Sequence, residues 1–146
     1  MEYVYGHYGS TMLRVALGLF FFSSGLHKLF VPDVRARFVG LLDKLGQGST
    51  LNRWLIPGAE FMGGLALVIG FLTPLAGLGL AIIMMGAIYL DCWQDDVVAK
   101  HPRDFLDWVA KAIYMPEGLI FLVLIAIVLM GGGVYSLDHL ILSIIR

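Results

Sequence analysis

Charged side chains are scarce in this 146-residue chain: 10 Lys and Arg stand beside 11 Asp and Glu, together 14% of the residues. An ordinary soluble domain carries about 25%. A soluble globule of this length needs a polar shell that so few charges cannot supply, so lipid is the expected solvent. The net charge of −1, with no long run of either sign, excludes nucleic-acid binding driven by counterion release. Cysteine is nearly absent. Cys92 stands alone, which excludes an internal disulfide, a CxxC redox pair and any cysteine-built zinc or iron–sulfur site within one chain. Electrons handled by such a protein must come from a borrowed cofactor or a partner.

What the chain has instead is apolar length. Hydrophobic residues make up 59%, 18 residues are glycine, and the mean hydropathy is +0.84. Four apolar stretches stand out, at 11–31, 54–72, 75–91 and 116–135. Each is about 17–21 residues, the length that crosses a hydrocarbon core of roughly 30 Å. They predict an all-α protein, a four-helix transmembrane bundle forming a single membrane domain over 1–146. The first stretch is too long for a signal-peptide core and ends in His27 and Lys28 without a small-x-small cleavage site, so it is expected to be retained. Leu72-Thr73-Pro74 leaves almost no loop between the second and third stretches, with Thr73 suited to an N-cap and Pro74 to the first helical position.

The connections predict interfacial amphipathic helices. Over 33–45, Val34, Phe38, Leu41, Leu42 and Leu45 form one apolar stripe, with Gly46 as the C-terminal stop. Over 104–115, Asp104 can cap a helix carrying Phe105, Leu106, Val109 and Ile113; a third surface helix is expected over 136–145. Lys28, Arg35, Arg37, Lys44, Arg53, Lys100, Arg103 and Lys111 fall on the side of the two long connections, while Arg14 and Arg146 fall on the other. The positive-inside rule then predicts a multi-pass protein of the cell membrane with cytoplasmic long connections and both termini outside.

Ionisable groups at bilayer depth are costly, and each is a candidate for function or for an interior ion pair. Arg14, Lys28, Glu60 and Glu117 form the expected buried polar face. Glu60 lies roughly 9 Å inside the second span by helix rise, at a depth Lys28 can reach, so these two are the expected pair. Arg14 lies some 21 Å from Lys28 along the first helix and needs an outer partner. Asp138 is the expected one, with lipid phosphate as the competitor. Arg14, Gly18, Phe21, Gly25 and Lys28 recur on one face, the one turned into the bundle. No histidine sits mid-span, since His27 and His101 belong to one side and His7 and His139 to the other, which argues against haem. Asp91, Cys92, Asp95, Asp96 and His101 match no strong metal-ligand spacing, so no metal site is expected.

Several of these residues also carry a family pattern. Arg14-Val-Ala-Leu-Gly18-Leu-Phe-Phe-Phe-Ser-Ser-Gly25-Leu-His-Lys28-Leu, Glu60 with Gly63-Gly64, Gly70-Phe-Leu-Thr-Pro and Gly133-Val-Tyr-Ser-Leu-Asp138 together resemble the DoxX family of small four-helix membrane proteins, over roughly residues 11 to 140. The resemblance implies a bacterial or archaeal cytoplasmic membrane and a link to quinone-dependent oxidation of sulfur compounds, one branch of the family supplying a subunit of thiosulfate:quinone oxidoreductase. Asp91-Cys92-Trp93 departs from the histidine expected of many relatives at the end of the third span.

Two functions stay open, and with them the question of catalysis. One is a non-catalytic membrane subunit, with no intrinsic cofactor, that anchors a redox complex through contacts with lipid, other subunits or a second copy. The other is a quinone-site subunit in which Lys28 and Glu60 meet the quinone oxygens and Phe21 and Phe61 form the walls.

Overall fold

The computed structural model describes residues 2–94, 116–133 and 135–145. Among these the regular elements are six helices: α1 (Glu2–Phe30), α2 (Pro32–Lys44), α3 (Thr50–Ile69), α4 (Thr73–Gln94), α5 (Pro116–Met130) and α6 (Leu137–Ile145). The four apolar stretches are α1, α3, α4 and α5, with ends set by local chemistry. α3 begins earlier than the expected residue 54 because the Ser49 hydroxyl accepts from Asn52 N at 3.2 Å, an N-cap on one of the free first-turn donors. It stops before residue 72 because Gly70 turns left-handed at φ 76°, and Phe71 N closes back on Ala66 O at 2.9 Å. α5 ends at Met130 rather than residue 135, where Gly131 adopts φ 70°. The helix expected over 104–115 lies outside the described residues.

Length and composition divide these helices. Among the described residues one helical stretch, Tyr8–Phe30 with 23 residues, is long and apolar enough to cross a membrane; Thr73–Tyr89 and Pro116–Met130 are apolar but shorter. Asn52, Arg53 and Glu60 lower the apolar content of α3.

Packing follows two tight pairs, α1 on α3 and α4 on α5, with α3 and α4 joined as a hairpin. Glycine makes the first pair close. A Cβ on Gly25 would sit 2.5 Å from Phe61 N and 2.7 Å from Pro57 O, and one on Gly18 would sit 2.9 Å from Gly64 O. Backbones this near can meet where side chains are missing, the packing mode of membrane helices. Between the pairs lies a dry core of Phe21, Leu67, Leu80, Ala81, Met84, Leu124 and Ile127.

α2 turns back on the bundle. Pro32 forces Val31 into extended backbone (φ −95°, ψ 111°), which ends α1 and restarts the chain in a new direction. The Arg35 guanidinium then stacks 3.6 Å over the Trp54 ring, and Arg53 pairs with Asp43 at 2.6 Å. These contacts hold α2 alongside α3, with Leu42 of its apolar stripe buried.

Candidate functional site: a polar pair in an apolar cavity

Lys28 in the last turn of α1 and Glu60 midway along α3 are brought together by the close crossing at Gly25. Lys28 Nζ donates to both carboxylate oxygens, at 2.8 Å to Oε1 and 2.7 Å to Oε2, and Ser24 Oγ donates to Oε2 at 3.1 Å. Glu60 is buried, while Lys28 is partly exposed. Carboxylates are tolerated at such burial when a cation and further hydrogen bonds satisfy them. Ser24 supplies the further bond. Its i,i+4 spacing to Lys28 places both on one helix face, which is the sequence signal for it.

The pair borders a cavity of about 510 Å³. α1 contributes Phe20, Phe21, Ser24 and Lys28, and α3 contributes Ile56 and Glu60. Phe38, Leu41, Leu42 and Leu45 close it from α2. Ile83, Met84, Gly86 and Ala87 of α4 and Glu117 and Ile120 of α5 complete the wall. Thus the apolar stripe of α2, expected to rest on the bilayer, faces this cavity. Phe38 stands over the polar pair, its ring centroid 5.2 Å from Lys28 Nζ.

Of the two aromatic walls expected from the sequence, Phe21 lines the cavity and is fully buried. Phe61 does not line it. It follows Glu60 by one helical step, about 100° around the helix, and packs on Phe22 with ring centroids 4.9 Å apart. Glu117 lines the cavity with Lys28 and Glu60, partly buried in the first turn of α5. Among the described residues it makes no hydrogen bond or ion pair.

Arg14 lies apart from this group, at the other end of α1, and is 1% exposed. Its Nη2 donates to Tyr135 O at 2.7 Å. Asp138 acts on Arg14 as a nearby opposite charge without the expected direct contact: its carboxylate accepts instead from Leu72 N at 2.7 Å and Thr73 N at 2.8 Å. The first N–H groups of a helix have no carbonyl one turn back, and an anion there also complements the helix dipole. That demand at the start of α4 takes the carboxylate. It also displaces Thr73 from its expected capping role; the Thr73 side chain is fully buried, with Oγ1 unpartnered among the described residues. Asp138 N donates in turn to Gly70 O at 3.0 Å, and the Ser136 hydroxyl caps α6 by accepting from His139 N at 3.1 Å. This cluster ties the chain after α5 to the α3–α4 turn.

Comparison with known proteins places the chain in a family. A family model described as DoxX matches residues 9–93, which include Arg14, Lys28, Glu60 and the α3–α4 hairpin up to Trp93. The chain belongs to the DoxX family. DoxX membership makes it a membrane protein associated with the lipid bilayer. No curated protein and no solved structure matches this DoxX chain.

Proposed function

We propose that this DoxX protein spans the cell membrane as a bundle of α1, α3, α4 and α5, and that the cavity beside Lys28 and Glu60 is a binding site for the headgroup of a quinone. The observation that carries this reading is the cavity itself: an apolar space of about 510 Å³ with an ion pair on its wall. Small-molecule sites are concave, largely apolar and carry a few placed polar groups, typically within about 300–1,000 Å³. When bound, a quinone supplies a couple that exchanges both electrons and protons, chemistry the side chains lack. Phe21 and Phe38 offer flat apolar walls, and the third proton of Lys28 is available to a carbonyl oxygen. The orientation we propose has the connections after α1 and α4 in the cytoplasm, which puts this cavity near the cytoplasmic surface.

Gly86 gives the test. It lines the cavity, and a Cβ there would meet nothing within 4 Å. Gly86→Leu should therefore fill the cavity while leaving the bundle folded. Purified protein should bind a short-chain benzoquinone saturably, and Gly86→Leu should abolish that binding without lowering the melting temperature. Absence of saturable binding in the wild type, or equal binding in the folded variant, overturns the reading.

An anchoring role in a larger redox complex is the second reading, supported by the many large apolar side chains left exposed, among them Met12, Leu75 and Leu129. Recovery of other subunits with the protein from mild detergent would support it; recovery as an isolated monomer would count against it.

A further inference from the structure

The cavity is unequal in its hydrogen-bonding capacity. Its one ammonium group, on Lys28, already gives two contacts to Glu60. Glu60 accepts those two and a third from Ser24, so its oxygens are largely occupied. Glu117 lines the same cavity and has its acceptor capacity free among the described residues. It stands in the first turn of α5, beside the start of that helix. One ammonium and two carboxyl groups leave the cavity wall with an excess of hydrogen-bond acceptors.

A ligand that only accepts hydrogen bonds meets one remaining N–H of Lys28 and leaves the Glu117 acceptors without a donor. A ligand that donates can satisfy them. We infer that the cavity prefers the reduced, hydroxyl-bearing form of its ligand, a quinol over the corresponding quinone, and that Glu117 sets this preference by accepting a hydrogen bond from a ligand hydroxyl. This assignment rests on the quinone-site reading and gives that site a direction of selectivity. It involves binding alone: no electron leaves the ligand, and the hydroxyl proton stays shared between the ligand oxygen and the Glu117 carboxylate.

The expected preference is about tenfold or more, the lower end of what a hydrogen bond to a charged group contributes. The test is calorimetric titration of the purified protein with a short-chain benzoquinone, and with its benzoquinol kept reduced under anaerobic conditions. The quinol should bind about tenfold tighter. Glu117→Gln should remove the preference, the quinol losing affinity and the quinone holding or gaining it through the amide N–H, and Glu117→Asp, which keeps the carboxyl group, should retain part of the preference. Equal binding of the two forms by the wild type, or a preference that survives Glu117→Gln, overturns the role of Glu117 while the quinone site stands. Failure of both forms to bind, or binding of both to the folded Gly86→Leu variant, overturns the quinone site itself and this inference with it. A Glu117→Gln variant that loses both ligands despite an unchanged melting temperature also contradicts a role confined to hydroxyl recognition.

Discussion

Lys28 grips Glu60 by both carboxylate oxygens, at 2.8 and 2.7 Å, yet the two side chains are unequally buried, with 24% of Lys28 exposed and 3% of Glu60. The two halves of the pair should therefore respond differently to mutation. Breaking a buried ion pair from one side costs about 3–5 kcal/mol when the remaining charge has no escape. A lysine freed by Glu60→Gln can swing its stem toward the headgroups. A glutamate freed by Lys28→Met has no such route. Melting temperatures in detergent should fall further for Lys28→Met than for Glu60→Gln, and the double variant Lys28→Met/Glu60→Leu should regain stability over Lys28→Met. Equal losses from the two single variants would count against this picture of the pair.

Gly25 should be far less tolerant than Gly79. A methyl group on Gly25 would run into the backbone of Phe61 and Pro57, which cannot rotate aside, whereas one on Gly79 meets nothing within 4 Å. Gly25→Ala should destabilise by about 1–3 kcal/mol through overpacking. Gly79→Ala should be neutral or stabilising, by up to about 1 kcal/mol, since alanine favours the helix. Thermal unfolding of both variants in one detergent decides it, and similar melting temperatures would contradict the close crossing of α1 and α3.

Asp138 should matter as a cap of α4. Asp138→Ala removes both acceptors from the N–H groups of Leu72 and Thr73 and should lower stability by about 1–2 kcal/mol, as loss of a helix cap does. Asp138→Asn keeps one acceptor oxygen and should lose less. Hydrogen exchange at Leu72 and Thr73 provides the local measure, with faster exchange expected in Asp138→Ala. Unchanged exchange there would mean the carboxylate is not the acceptor.

The left-handed glycines Gly70 and Gly131 separate backbone strain from crowding. Both have positive φ, at 76° and 70°, so alanine strains either site by roughly 1 kcal/mol. At Gly131 the added methyl enters open space, but at Gly70 it collides with the Arg14 guanidinium and approaches Ser136. Gly70→Ala should lower the melting temperature clearly more than Gly131→Ala. Matching losses would show that the packing of Arg14 against Gly70 contributes nothing.

Much of this arrangement was legible in the residues, for reasons that also explain the misses. The meeting of Lys28 and Glu60 followed from depth: helix rise puts a short carboxylate and a long ammonium stem at the same level, and few other groups there could satisfy it. Depth does not give rotation with the same accuracy. Phe61, one step from Glu60, turned onto Phe22, and the aromatic over the pair came from Phe38, in a helix whose apolar stripe also suits a bilayer surface. Arg14 and Asp138 share one level in the sequence, where opposite charges are expected to meet. Sequence patterns of side chains do not weigh the backbone donors at Leu72 and Thr73, and those donors claimed the carboxylate. The family pattern was legible from its glycines and charges together, and the matched residues 9–93 contain the ion pair and the close crossing.

A photoreactive short-chain quinone, crosslinked to the protein in native membranes and mapped by mass spectrometry, reports directly on where a quinone rests. Label on peptides carrying Phe21, Phe38 or Ile120, competed by unlabelled quinone and lost in Gly86→Leu, is the expected result. Label confined to exposed apolar positions such as Met12, Leu75 and Leu129, indifferent to competitor and to Gly86→Leu, would contradict a quinone site beside Lys28 and Glu60.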